Sequence, residues 1–118
     1  MPTLNFQKRF APLVESGQKR QTIRARRVDM RDPKPGQTLY LYVGQRTKGC
    51  RKLGESVCKS VHSTFIDRNM MILDGRQVSY CAASGIATAN GFECVEDLVE
   101  FLEQQHHELP FEGILICW

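Results

Sequence analysis

The sequence predicts one α+β domain, a small barrel of short strands with helices inserted, and not a parallel sheet. Three observations carry that expectation. Short runs of alternating polar and apolar residues recur between positions 22 and 80. One long amphipathic stretch, from Val95 to about Gln105, reads as a helix. The closing run Gly113-Ile114-Leu115-Ile116-Cys117-Trp118 is continuously apolar, the pattern of a strand buried on both faces. At 118 residues the chain is expected to form a single domain, 1–118, with a core large enough to need no disulfide or metal staple.

Each element follows from local chemistry. Pro12 suits a first helical turn and Gly17 a stop, so a short helix is expected from about Ala11 to Ser16. Thr22-Ile23-Arg24-Ala25-Arg26 alternates and reads as a half-buried strand. Asp32-Pro33-Lys34-Pro35-Gly36 is a turn by composition, leading into the strand Thr38-Leu39-Tyr40-Leu41-Tyr42-Val43. Gln45 to Gly54 is a basic, glycine-bounded loop. A strand is expected from about Ser56 to Asp67, with Val57, Val61 and Phe65 on alternate positions, and another near Met70 to Leu73. Asp74-Gly75 is a hairpin turn with Gln77 to Tyr80 as its return strand. In the long helix Val95, Leu98, Val99 and Leu102 recur at one-turn spacing, while Glu96, Asp97, Glu100 and Glu103 lie outward or at its start. The residues expected to share one core are Ile23, Leu39, Leu41, Val43, Val61, Phe65, Leu98, Leu102, Ile114 and Ile116.

Hydrophobic content of 42% and charged content of 25% are ordinary for a soluble globular protein. No stretch approaches the roughly 18 apolar residues of a membrane span. The opening MPTLNFQKRF lacks the apolar run of a secretion signal, so the expected setting is cytoplasmic, with no membrane partner. Cys50, Cys58, Cys81, Cys94 and Cys117 are an odd, scattered set without a C-x-x-C pair, which fits reduced thiols. Their spacing to His106 and His107 matches no usual zinc site, so neither metal nor cofactor is expected.

Charge is unevenly divided along the chain. Met1 to Lys59 holds fourteen Lys and Arg against four acids, a balance of +10, whereas Ser60 to Trp118 holds two Arg against nine acids, a balance of −7. Such a split suggests a face for a polyanion, because each Lys or Arg placed at a phosphate releases condensed counterions. The alternative is that the acidic half folds back and neutralises the basic one.

The octet Gly17-Gln18-Lys19-Arg20-Gln21-Thr22-Ile23-Arg24 concentrates the chemistry. Strand alternation puts Thr22, Arg24 and Arg26 on one face, with Lys19 on the turn before it. A hydroxyl, two guanidinium groups and an ammonium on one side make a phosphate or carbonyl site. A solvated basic strand edge, guarded against pairing, is the competing account.

The octet resembles the G-x-K-x-x-[E/T]-x-R signature of ASCH domains, a branch of the PUA-like superfamily, in the style of small bacterial and prophage members. Leu39 to Gly54 is similar to that family's polar barrel strand and basic loop, Ala87-Thr88-Ala89-Asn90-Gly91-Phe92 to its A-x-x-[D/E]-G-F element, and Pro110 to Trp118 to its end strand. The resemblance implies a PUA-like β pseudo-barrel with a short N-terminal helix and a longer helix before the last strand. Its cleft would form where the signature meets the segment before the long helix. PUA-like cleft proteins generally bind RNA or modified nucleotides, so the implied partner is RNA or a modified nucleoside or nucleotide, taken up by a monomer. One ASCH subgroup, the acetylcytidine amidohydrolases, uses a lysine and a threonine of the octet and a later glutamate. By position these fall on Lys19, Thr22 and Asn90. Asn90 departs from the pattern, since an amide cannot ionise and so cannot act as a carboxylate base.

The expected function is therefore RNA or nucleotide binding in a basic cleft, with hydrolysis of an acetylated cytidine or related nucleoside, or nuclease activity, as the alternative. Lys19, Thr22 and Asn90 are the catalytic candidates if the protein is an enzyme. Threonine is a weak nucleophile without a base, and Lys19 can serve only if its amine is neutral near pH 7. Arg20, Arg24, Arg26, Arg46, Lys48, Arg51 and Lys52 are the expected phosphate contacts, and Tyr40 a base-stacking residue. A solubilising loop and a tyrosine packed under its neighbours are the plainer readings of the last two sets. A third possibility is an interaction module docking a partner through its acidic helix.

Overall fold

The computed structural model describes residues 3–26, 32–45, 47–68, 70–106 and 109–118. The chain opens with β1 (Thr3–Phe6), a strand that no clear alternation announces, then α1 (Ala11–Glu15), β2 (Gln21–Arg24), β3 (Thr38–Val43) and β4 (Arg51–Val57). There follow β5 (Ser60–Asp67), β6 (Met70–Leu73), β7 (Arg76–Gln77), α2 (Tyr80–Ala89), α3 (Val95–His106) and β8 (Phe111–Cys117). This is an α+β fold, with eight strands in two sheets and three helices among the described residues.

One sheet has the order β1-β3-β4, the other β2-β8-β5-β6-β7. Pairing is antiparallel throughout the larger sheet, while β1 runs parallel to β3, with Thr3 opposite Tyr40 and Phe6 opposite Val43. The expected absence of parallel pairing thus fails at one place. The excursion from β1 through α1 places β2 in the other sheet before the chain returns as β3.

β8 lies second in its sheet, between β2 and β5, and its residues Ile114, Leu115 and Ile116 are buried on both faces. Gly113 is required there: a Cβ would lie 2.3 Å from the Arg24 carbonyl oxygen, so any side chain displaces β2. Leu4, Phe6, Leu39 and Leu41 from the smaller sheet meet Leu98, Leu102, Ile114 and Ile116 in one core. Ile23 and Val61 pack on its margin.

Three local expectations are corrected. Ser56 to Asp67 is not one strand, because β4 ends at Val57 and the chain passes to the other sheet before Ser60. Val57 is consequently 54% exposed, and further along β5 it is Thr64 and Ile66 that are buried while Phe65 is half-exposed. Arg51 to Gly54 belongs to β4, whose basic residues stand on a sheet edge instead of in a loop. The return strand after Asp74-Gly75 is only Arg76–Gln77, and Tyr80 opens a helix absent from the sequence reading. Ser79 caps that helix by accepting from the Ala82 N–H at 3.2 Å, and the alanines after it have the highest helix propensity of any residue.

Candidate functional site

Lys19 is set by the exit from α1. Gly17 takes φ +81°, turning the chain so that the Lys19 N–H donates to the Leu13 carbonyl at 2.9 Å. Its side chain then runs inward and is only 3% exposed. Thr22 and Arg24 follow on β2, with Thr22 Oγ1 accepting from Arg24 Nε at 3.2 Å. Arg24 also donates through Nη2 to the Asn5 carbonyl at 2.6 Å, and its guanidinium lies 4.9 Å from the Phe6 ring centroid.

Asn90 arrives from the opposite direction, as the C-cap of α2. Gly91 reverses the chain at φ +94°, where a Cβ would meet the Phe10 ring at 3.0 Å. The Asn90 side chain is fixed by donating to Gln21 Oε1 at 3.0 Å and to the Ile86 carbonyl at 2.8 Å. Its backbone carbonyl accepts from Lys19 Nζ at 2.5 Å. Asn90 Oδ1 is buried without a hydrogen-bond partner among the described residues.

These residues share one cavity of about 290 Å³, lined by Lys19, Thr22, Arg24 and Asn90 together with Phe6, Phe10, Phe92 and Phe101. Phe10, Phe92 and Phe101 form a cluster with centroids 5.2–5.9 Å apart. The Arg9 guanidinium is 4.8 Å from the Phe10 centroid and 5.4 Å from that of Phe92. Lys19 Nζ lies 4.9 Å from the Phe10 centroid. Neither Asp nor Glu is among the lining residues.

That composition governs the Lys19 amine. Burial, then the positive charge of Arg24, then that of Arg9, lower its pKa from 10.5 to about 7. A lysine is thus held near neutrality with one carbonyl partner and aromatic walls.

The remaining candidates lie elsewhere. Arg20 is exposed. Arg26 donates to Ser63 Oγ at 2.8 Å and lines a separate shallow depression with Phe65 and Gly113. Lys48 is exposed, and Arg46 lies outside the described residues. Arg51 pairs with Glu15 at 2.6 Å and Lys52 with Glu55. Tyr40 is half-buried on β3, with Lys52 Nζ 5.5 Å from its ring centroid, and does not line the cavity. Sequence reasoning missed Arg9, Phe6, Phe10 and Phe101. Only Phe10, beside the proline that starts α1, had a local signal, because that helix start directs its neighbours inward.

No family model matches the chain, and neither a curated protein nor a solved structure is similar to it. Among the described residues, no helix is long and apolar enough to cross a membrane.

Proposed function

We propose that this chain is an ASCH-type domain of the PUA-like superfamily, its two sheets the halves of a pseudo-barrel, and that its cavity binds a nucleotide or an RNA base. One observation carries the reading. Lys19, Thr22 and Arg24 from the octet and Asn90 from the end of α2, separated by more than sixty positions, line the same aromatic-walled cavity. Aromatic rings offer a stacking surface to a base, and the cationic groups offer donors to its oxygens. At about 290 Å³ the space suits one nucleotide unit, just below the roughly 300 Å³ at which drug-sized pockets begin. Exposed Arg20 and Lys48 would add phosphate contacts along a strand.

The test is titration of the protein with short single-stranded RNAs and mononucleotides, followed by calorimetry. Micromolar binding that Phe10→Ala or Arg24→Gln removes supports the reading. Absence of binding to every nucleotide and RNA tested refutes it.

A second reading has its own support in Lys19, whose amine is neutral in about half the molecules at pH 7. A neutral amine near Thr22 can take the hydroxyl proton during attack on an acyl carbon, the chemistry of an amidohydrolase acting on acetylated cytidine. Release of acetate from acetylcytidine, lost in Lys19→Ala, would place this reading first.

A further inference from the structure

We infer that the ligand brings into the cavity the negative charge that the chain itself does not supply, and that this charge is a terminal phosphate monoester held by Lys19 between Arg9 and Arg24. The inference rests on the nucleotide reading above and narrows it, from any base or nucleoside to one carrying a phosphate.

The argument begins with hydrogen-bond capacity. A lysine ammonium has three donors, and Lys19 Nζ, 3% exposed, has one hydrogen bond, to the Asn90 carbonyl. The surroundings offer little else: the Phe10 and Phe6 rings at 4.9 and 6.0 Å, and no carboxylate along the cavity wall. Where the resembled family carries an acid, this chain has Asn90, whose amide is turned to donate to Gln21 and Ile86. A buried charge without a counter-charge is costly, so the protein resolves the conflict by shedding the proton.

Two further cations make the region more positive still. Arg24 is held by the Asn5 carbonyl and the Phe6 ring, and Arg9 by the rings of Phe10, Phe92 and Phe101. Both lower the Lys19 pKa, so both are close enough to act on whatever occupies its vicinity. His106, at the end of α3, is the other titratable group on the wall. A phosphate monoester entering here relieves the repulsion among Lys19, Arg24 and Arg9 and offers oxygens to the two unused Lys19 donors. No bond is made or broken. The single chemical event is transfer of a proton from solvent to Lys19 Nζ as the anion arrives.

Two sources share this chemistry, a free mononucleotide and the 5′ end of an RNA. The experiment compares a nucleoside with its 5′-monophosphate, and a short RNA bearing a 5′-hydroxyl with the same RNA bearing a 5′-phosphate. Titrations at pH 8 in two buffers of different ionisation heat report protons taken up. The phosphorylated member of a pair should bind roughly tenfold to a hundredfold more tightly, as hydrogen bonds to charged groups are worth. It should also take up about one proton per site, because Lys19 is mostly neutral at that pH. Lys19→Met should remove both the preference and the uptake, while His106→Gln should keep the uptake. Whichever pair shows the preference identifies the source.

A preference without proton uptake, or one that survives Lys19→Met, would place the phosphate on the outer basic surface and overturn the inference. Equal affinity within both pairs would overturn it while leaving nucleotide binding intact. Failure of all four ligands to bind would overturn both. The wild-type measurements decide these cases even where Lys19→Met does not fold.

Discussion

Replacing Lys19 by methionine should make the protein's stability less dependent on alkaline pH, by an amount the structure fixes in advance. In the folded state the amine titrates at about 7, against 10.5 for an ordinary lysine. At 1.36 kcal/mol per pH unit that gap corresponds to about 5 kcal/mol, an upper figure because local relaxation reduces it. Between those values the unfolded chain binds the proton and the folded one does not, so unfolding free energy rises with pH across that window. Below about pH 7 both states are protonated and the full cost is present. From pH 7 to pH 9 the wild type should regain about 2 kcal/mol from this one group. Lys19→Met has nothing to titrate at 19, so its curve lacks the rise. Cysteines and tyrosines titrate in both proteins and cancel in the difference. The assay is urea unfolding of both at pH 7, 8 and 9. Parallel curves would refute the reasoning, because they would mean that Lys19 keeps its proton and finds a counter-charge inside the fold.

Three other outcomes follow from the same geometry. Gly113→Ala should cost about 3 kcal/mol, since its Cβ meets the Arg24 carbonyl at 2.3 Å and the overpacked β2–β8 pair must part; thermal unfolding reads the loss. Lys48→Glu should lower affinity for single-stranded RNA across all sequences and flatten its salt dependence, whereas Arg51→Glu should do so less, because Glu15 already engages Arg51 at 2.6 Å; filter binding at several salt concentrations separates them. Acetylcytidine should stay intact with the wild type and be hydrolysed by Asn90→Asp, as followed by chromatography, because a carboxylate at 90 can move a proton that an amide cannot; turnover by the wild type would reverse the order of the two functional readings.

How far the sequence foretold this molecule depends on where its physics is local. The octet was legible because a glycine stop followed by strand alternation is enough to put Lys19 before β2 and Thr22 and Arg24 on it. α3 was legible because its apolar stripe repeats at helical spacing. α2 was not, since Tyr80–Ala89 is apolar nearly all round, with alanine and isoleucine on more than one face, and such a stretch has no periodicity to read. β1 escaped for a different reason. Four residues carry too little pattern, and its partner β3 lies more than thirty positions away. The division into two sheets was equally hidden, because the step from Val57 to Ser60 changes sheets without a glycine or proline to mark it.

The same distinction explains why the aromatic half of the cavity was missed and what it does. Phe10 and Phe92 read as ordinary core side chains, and both are indeed nearly buried, at 5% and 6% exposure. Their effect on chemistry comes only from what tertiary folding places beside them. Gly91 lets the end of α2 approach Phe10 closely, and that approach brings the Asn90 carbonyl to Lys19 Nζ. A larger residue at 91 would push Asn90 away and open the lysine to water, where its pKa would return toward 10.5. The lowered pKa is therefore a property of the α2 turn as much as of the octet. Lysine, threonine and arginine set which groups are present. A glycine, an amide and a wall of phenylalanines set their protonation, and through it the charge that a ligand must bring.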